Sequence, residues 1–198
     1  MNNLILQKTY IRTRIKHERQ NLTSPFMQRA AIAILGHISQ AKLIENHQHI
    51  AFYLPIGGEV SCMPIIEYAL SQGKNCYIPK INTTKARTMD FLPYTGQDSV
   101  KKGAYGIYEP VGDATEAVAP SKLSLVFMPL VAFDSKGNRL GMGGGYYDTF
   151  FANLSKKKRP ELVGLAYNFQ KVPEIPTEKW DLAMDAVVTP NHFLRFSD

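Results

Sequence analysis

Apolar positions recur at helical spacing over the first forty residues, then gather into short runs closed by glycine or proline. Leu4, Ile11 and Ile15 share one side of a segment with no glycine or proline before Pro25, which predicts a helix over residues 4–20. Ser24 as cap and Pro25 in the first turn predict a second helix, its apolar face Ala30, Ala31, Ile34, Leu35 and Ile38. Residues 49–56 read as a buried parallel strand that stops at Pro55 and Gly57-Gly58. A helix over 64–70, closed by Gly73, and a strand over 75–78 complete a β-α-β unit with a right-handed crossover. A further strand is expected over 88–92. Residues 95–121 are loop-like, and a connection that long is either functional or mobile. An apolar run over 123–131, broken only by Ser124 and Pro129, leads through a glycine-rich stretch into an amphipathic segment over 146–154. Strands over 161–167 and at Ala186-Val187-Val188 close the series. The pattern predicts one domain over residues 1–198 of the α/β class. It is three-layered and Rossmann-like, a mainly parallel sheet with helices on both faces and ligands over the strand ends.

Composition narrows the possibilities. The 198 residues are 44% hydrophobic and 20% charged, enough for a real core. A net charge of +6 suits nucleic acid, an anionic membrane or an anionic small substrate without choosing among them. Lys156, Lys157, Lys158 and Arg159 read as the solvated end of the helix over 146–154. On the first helix Lys8, Arg12 and Arg19 form a stripe that, read alone, is a solvated basic face. Cys62 and Cys76 lack metal-ligand or disulfide-framework spacing and fit reduced thiols. No apolar stretch approaches a membrane span and no signal peptide is apparent, so a cytoplasmic location is expected.

The chemistry concentrates at residues 137–148. Gly141, Gly143, Gly144 and Gly145 are four of the chain's 14 glycines, framed by Arg139 and Asp148. Such a loop either makes a tight turn or cradles phosphate on its backbone amides, with Arg139 adding donors and Asp148 a hard oxygen for magnesium. Four glycines cost about 1 kcal/mol each in ordering entropy if nothing requires the bare backbone, which favours the cradle. No Lys-Ser or Lys-Thr follows the glycines, so a Walker loop is excluded. Tyr146 stands where a dinucleotide fingerprint wants glycine, and no acid follows at the required distance.

The string Pro129, Ala132-Phe133-Asp134 and Gly137-Asn138-Arg139-Leu140-Gly141-Met142-Gly143-Gly144-Gly145-Tyr146-Tyr147-Asp148 resembles the signature of the 5-formyltetrahydrofolate cyclo-ligases. Lys8-Thr9-Tyr10-Ile11-Arg12 is similar to their Lys-x-x-x-Arg, residues 54–60 to their segment ending in Glu-Val, residues 105–110 to their Gly-Ile-x-Glu-Pro, and residues 180–190 to their region around Asp-x-Val-Val-Thr-Pro. Trp180 stands where that family usually has His.

The resemblance implies an ATP- and Mg²⁺-dependent conversion of 5-formyltetrahydrofolate to 5,10-methenyltetrahydrofolate. Lys8 and Arg139 are implied as catalytic. Lys8, Arg12, Arg139, Leu140, Gly141, Met142, Gly143, Gly144, Gly145, Tyr146 and Tyr147 would hold the nucleotide. Leu54, Glu59, Tyr105, Met142, Gly143, Gly144, Gly145 and Tyr146 would hold the folate, and Asp148 and Asp185 magnesium. A monomer with reduced folate and ATP as partners is expected, without nucleic acid or membrane. The rival classes are a nucleic-acid-binding module, which lacks any recognition motif here, and a sugar-phosphate or CoA enzyme on a similar sheet.

Overall fold

The computed structural model describes residues 3–82, 84–103 and 108–196. Two helices open the chain, α1 (Asn3–Gln20) and α2 (Ser24–Gln40). The cap of α2 is Thr23, one residue earlier than expected, whose hydroxyl accepts the Phe26 N–H; Ser24 and Pro25 begin the helix. There follow β1 (His49–Ala51), α3 (Met63–Ser71), β2 (Asn75–Ile81) and β3 (Met89–Tyr94). The long connection is not structureless: β4 (Val100–Lys102) and β5 (Tyr108–Pro110) pair antiparallel within it. Next come β6 (Leu125–Met128), the short hairpin of β7 (Ala132–Phe133) and β8 (Arg139–Leu140), then α4 (Tyr146–Phe151), β9 (Glu161–Leu165), β10 (Ala186–Val188) and β11 (Phe193–Arg195).

Seven strands form the main sheet in the order β11-β10-β9-β6-β1-β2-β3. The five inner strands are mutually parallel, and the edges β3 and β11 run antiparallel to their neighbours. Both faces are apolar, and successive residues of a strand serve them in turn, as a period of two requires. Ile50, Phe52, Leu125, Phe127 and Val163 meet α2 and α3 on one face, with the Phe52 and Phe127 rings stacked 5.2 Å apart. Ala51, Val126, Met128 and Leu162 meet Phe151 of α4 on the other. The second face therefore has one short helix, six residues long rather than the nine of 146–154.

The β7–β8 hairpin sits between β6 and the glycine loop, where a direct strand-to-loop passage was expected. Its turn is built on Asp134, fully buried. Oδ1 accepts the N–H groups of Lys136 (2.9 Å) and Asn138 (3.0 Å), and Oδ2 those of Asn138 Nδ2 (2.9 Å) and Ile175 (3.0 Å). α1 lies across this hairpin: Ile11 and the wholly buried Ile15 pack with Val131, Ala132, Leu140, Val172 and Ile175.

Asp134→Ala should lower unfolding free energy by at least about 3 kcal/mol, because four donors lose one buried anionic acceptor together. Urea titration checks this. A loss under about 1 kcal/mol would mean that water replaces the carboxylate and the turn is not built on it.

Candidate active site

A crevice of about 1060 Å³ opens at the carboxyl ends of β1, β2 and β6. That is at the top of the about 300–1,000 Å³ usual for one ligand, which leaves room for two. In an open parallel sheet this end is where ligands sit, because the loops leaving the strands converge there.

α1 supplies the first wall. Anchored by Ile15, it lays Arg12 against the glycine loop that leaves β8 and brings Lys8 into the same crevice. Arg12 Nε donates to the Gly141 carbonyl at 2.9 Å, and a Cβ on Gly143 would stand 3.6 Å from the Arg12 guanidinium. Gly143 has φ +105, a backbone that a side chain would strain, so the loop's exposed amides depend on glycine there. Burial lowers the Arg12 pKa and Asp181 opposes the shift; the guanidinium stays charged but is poorly hydrated, ready for an anion. Lys8 Nζ donates to Asp181 Oδ2 at 3.0 Å.

The loop's other end is also charged. Arg139 is nearly buried, donates from Nη2 to Asp148 Oδ1 at 2.8 Å and lies 5.8 Å from the centre of the Tyr147 ring. The same Asp148 oxygen accepts the Leu182 N–H at 3.1 Å, which ties the loop to the segment carrying Asp181. Arg139 Nε and the Tyr147 hydroxyl are buried without a partner among the described residues. Because α4 is only six residues long, the cradle rests on these cations and loop amides rather than on a helix dipole.

The opposite wall follows β1. Tyr53, Leu54, Ile56 and Glu59 line it. Glu59 Oε2 accepts the Ile56 N–H at 3.1 Å, while Arg19 Nη1 stands 3.7 Å from Oε1. Burial raises the Glu59 pKa, and the cation, too distant for a hydrogen bond, only partly opposes it. Both thiols lie away from this chemistry: burial pushes Cys62 and Cys76 up to about 12, so neither is a nucleophile.

Lys8, Arg12, Leu54, Glu59, Arg139, Leu140, Gly141, Met142, Gly143, Gly144, Gly145, Tyr146, Tyr147 and Asp148 thus border one crevice. Tyr105 falls outside the described residues. Asp185 is a correction. It stands at the amino end of β10, away from the crevice mouth, its Oδ1 held by Arg159 Nη2 at 2.8 Å and its Oδ2 by Arg159 Nη1 and the Leu162 N–H. Arg159 is likewise no part of a solvated helix end, its side chain being 6% exposed. Arg19 is the third correction, buried rather than on a basic surface.

Asp181 was missed, although it follows Trp180 in the Trp-Asp pair that matches the resemblance's His-Asp; Trp180 itself is exposed on the rim. Among the described residues no three His, Cys, Asp or Glu side chains gather as a metal cage, but Asp148 Oδ2 has no protein partner there. One free carboxylate oxygen beside a cationic cradle fits magnesium shared with phosphates and water, which is how that ion is usually held.

Comparison with known proteins decides the family. The sequence model of the 5-formyltetrahydrofolate cyclo-ligase family matches residues 5–190. The chain belongs to that family. A Haemophilus influenzae cyclo-ligase is 38% identical over 180 residues, covering 90% of this chain and 95% of its own. The Escherichia coli cyclo-ligase is 38% identical over 142 residues, 72% of this chain and 78% of its own. The solution structure of Aquifex aeolicus 5,10-methenyltetrahydrofolate synthetase superposes with a TM-score of 0.81 at 30% identity, covering 96% of this chain and 93% of that one. This cyclo-ligase fold is therefore shared along nearly the whole chain. No helix among the described residues is long and apolar enough to cross a membrane.

Two outcomes follow from the carboxylates. Asp185→Asn should cost about 1–3 kcal/mol in unfolding free energy by weakening a charged pair, yet leave the magnesium dependence of activity unchanged. An increased magnesium requirement with undisturbed stability would restore Asp185 as a ligand. The second concerns pH. A Glu59 pKa raised above its ordinary 4.5 means that the folded chain keeps this proton longer than the unfolded chain. The stability given by the neutral carboxyl is complete below the unfolded pKa and lost as pH rises through the folded one. Glu59→Gln stays neutral, so its stability relative to wild type should improve over that window. A difference that is flat with pH would sink this assignment.

Proposed function

We propose that the chain converts 5-formyltetrahydrofolate and ATP into 5,10-methenyltetrahydrofolate, ADP and phosphate, with both substrates in the one crevice. Family membership supplies the folate conversion. The observation that supports the ATP step is that Lys8, Arg12 and Arg139 share with a glycine loop one crevice whose other wall carries Glu59.

An N-formyl oxygen is a poor leaving group. In the reading offered here it attacks the γ-phosphorus, the bond to ADP breaks, and the formyl carbon becomes an activated imidate phosphate. N10 then attacks that carbon and loses its proton, and phosphate departs with the C–O electron pair, leaving the conjugated methenyl bridge. Phosphoryl transfer needs positioning and charge neutralisation more than covalent help. Lys8 and Arg12 meet the phosphate chain from α1, Arg139 meets it from β8, and the N–H groups around Gly143 donate to its oxygens at close range. Asp148 would hold magnesium through Oδ2, and the ion would neutralise phosphate charge. Asp181 is the anion that Lys8 holds until phosphate takes its place. Leu54 and the aromatic residues Tyr146 and Tyr147 flank the flat ring, and Glu59 offers it an acceptor. The protein acts on small molecules, reads as a monomer and belongs in the cytoplasm.

The direct test mixes protein, MgATP and 5-formyltetrahydrofolate and follows methenyl absorbance. No product at any nucleotide concentration would end this reading. Lys8→Ala should cut kcat/KM for ATP by about 10²–10³, the usual loss of one oxyanion donor, and change the folate KM little. Arg14→Ala is the control, since Arg14 is 44% exposed and pairs with Glu18 one turn on. Equal kinetics for the two variants would remove α1 from the phosphate site.

A further inference from the structure

Arg19 is the one cation on the inner face of α1 that the reaction above leaves without a task. It lies seven positions beyond Arg12, 3% exposed. Neither its Nε nor its Nη1 has a hydrogen-bond partner among the described residues. The remaining unpartnered buried side-chain atoms there belong to Arg139 and Tyr147, both on the crevice wall. Unmet buried donors are rare in native folds, and here two of the three residues carrying them stand on the crevice wall, while Arg19 lies behind the wall residue Glu59.

The chain fixes Arg19 tightly despite those unmet donors. Gly57 and Gly58 turn over it with φ of +55 and +74, and a Cβ on Gly58 would stand 3.0 Å from the Arg19 carbonyl oxygen. That turn delivers Glu59, whose N–H bonds the Ile56 carbonyl at 3.1 Å. The Ile56 N–H also anchors Oε2, so Oε1, the oxygen nearest Arg19, is the one left without a hydrogen bond among the described residues.

We propose that Arg19 is a positioning residue that keeps the Glu59 carboxylate ionised and turned into the crevice, where it accepts N–H donors of the bound reduced-folate ring. This rests on the folate reading given above. The other ionisable groups around Glu59 are Tyr53, Cys62, Tyr147 and Tyr167. Burial raises all four, so they stay neutral near pH 7 and Arg19 is the cation that acts on Glu59. A neutral carboxyl would present a donor to a donor, so losing the cation should weaken the folate side alone.

The test uses the full chain with Arg19→Met, Arg19→Lys, Glu59→Gln and the double variant Arg19→Met/Glu59→Gln. KM for each substrate is measured across pH, and folate binding is followed by the fluorescence of Trp180, the chain's single tryptophan, on the crevice rim. Arg19→Met should raise the folate KM roughly tenfold or more, with ATP KM changed by less than about twofold. It should also move the acid limb of the folate profile to higher pH, because Glu59 protonates sooner without its cation. Arg19→Lys should recover part of both effects, and the double variant should lose no more than Glu59→Gln. Equal loss for both substrates, an unmoved acid limb or additive losses would overturn the proposal. If Arg19→Met does not fold, Arg19→Lys decides by the same two readouts, an unmoved acid limb again counting against it. Wild type that makes product while the Arg19 variants show no split fails this proposal alone. Wild type that binds folate without making product fails the reaction, and Arg19 is then judged on folate affinity. Wild type that neither binds folate nor makes product overturns both.

Discussion

The site depends on which way α1 faces. Its inner stripe is Leu4, Lys8, Arg12, Ile15 and Arg19, spaced so that all fall on one side of the helix, and Ile15 is its only wholly buried apolar member. Meanwhile Ile5, Leu6 and Tyr10 are 58%, 51% and 69% exposed. A helix that turns cations inward and hydrophobics outward gains little from burial, about 1.5–3 kcal/mol from Ile15 itself. Packing on the β7–β8 hairpin holds it there, and the hairpin runs directly into the glycine loop. One contact therefore sets the register between the α1 cations and the loop amides.

Inward cations need anions, and the unliganded protein supplies them from different elements. Asp181 answers Lys8 and acts on Arg12 from the segment before β10, Asp148 answers Arg139 from α4, and Glu59 stands before Arg19 from the turn after β1. The bonding is incomplete among the described residues: Arg139 keeps an unpartnered Nε, and Arg19 an unpartnered Nε and Nη1. A fully satisfied network would be stable but closed to phosphate. One left incomplete costs stability and favours whatever completes it.

Much of the fold was legible because both sheet faces are apolar and the strands are short, so runs such as Leu125 to Met128 stand out between breakers. What misled was tertiary. The β7–β8 hairpin is two residues per strand, too short for any period to register, and β11 has an edge strand's mixed pattern. α4 stops at Phe151 in a turn closed by the Leu154 N–H on the Phe151 carbonyl, yet Leu154 still packs on the second-face core, so the continued apolar spacing hid the stop. Arg19 was read as solvated because polarity alone places a cation outside. Its burial comes from Gly57-Gly58 folding over it, a contact nearly forty residues away in sequence.

The three aspartates quoted with the family's motifs show what a resemblance carries and what it does not. Asp134 spends four hydrogen bonds on its own hairpin and the segment at Ile175, so it builds the site without entering it. Asp148 divides its oxygens, one bonding Arg139 and Leu182 and one without a protein partner among the described residues, so it can order the loop and still keep an acceptor open. Asp185 gives both oxygens to Arg159 and Leu162 and joins β9 to β10 at the far end of the sheet. The same side chain is an architect, an open acceptor or a strut according to how many of its lone pairs the fold has already claimed. Motif identity cannot reveal that count, because the claiming donors lie elsewhere in the chain.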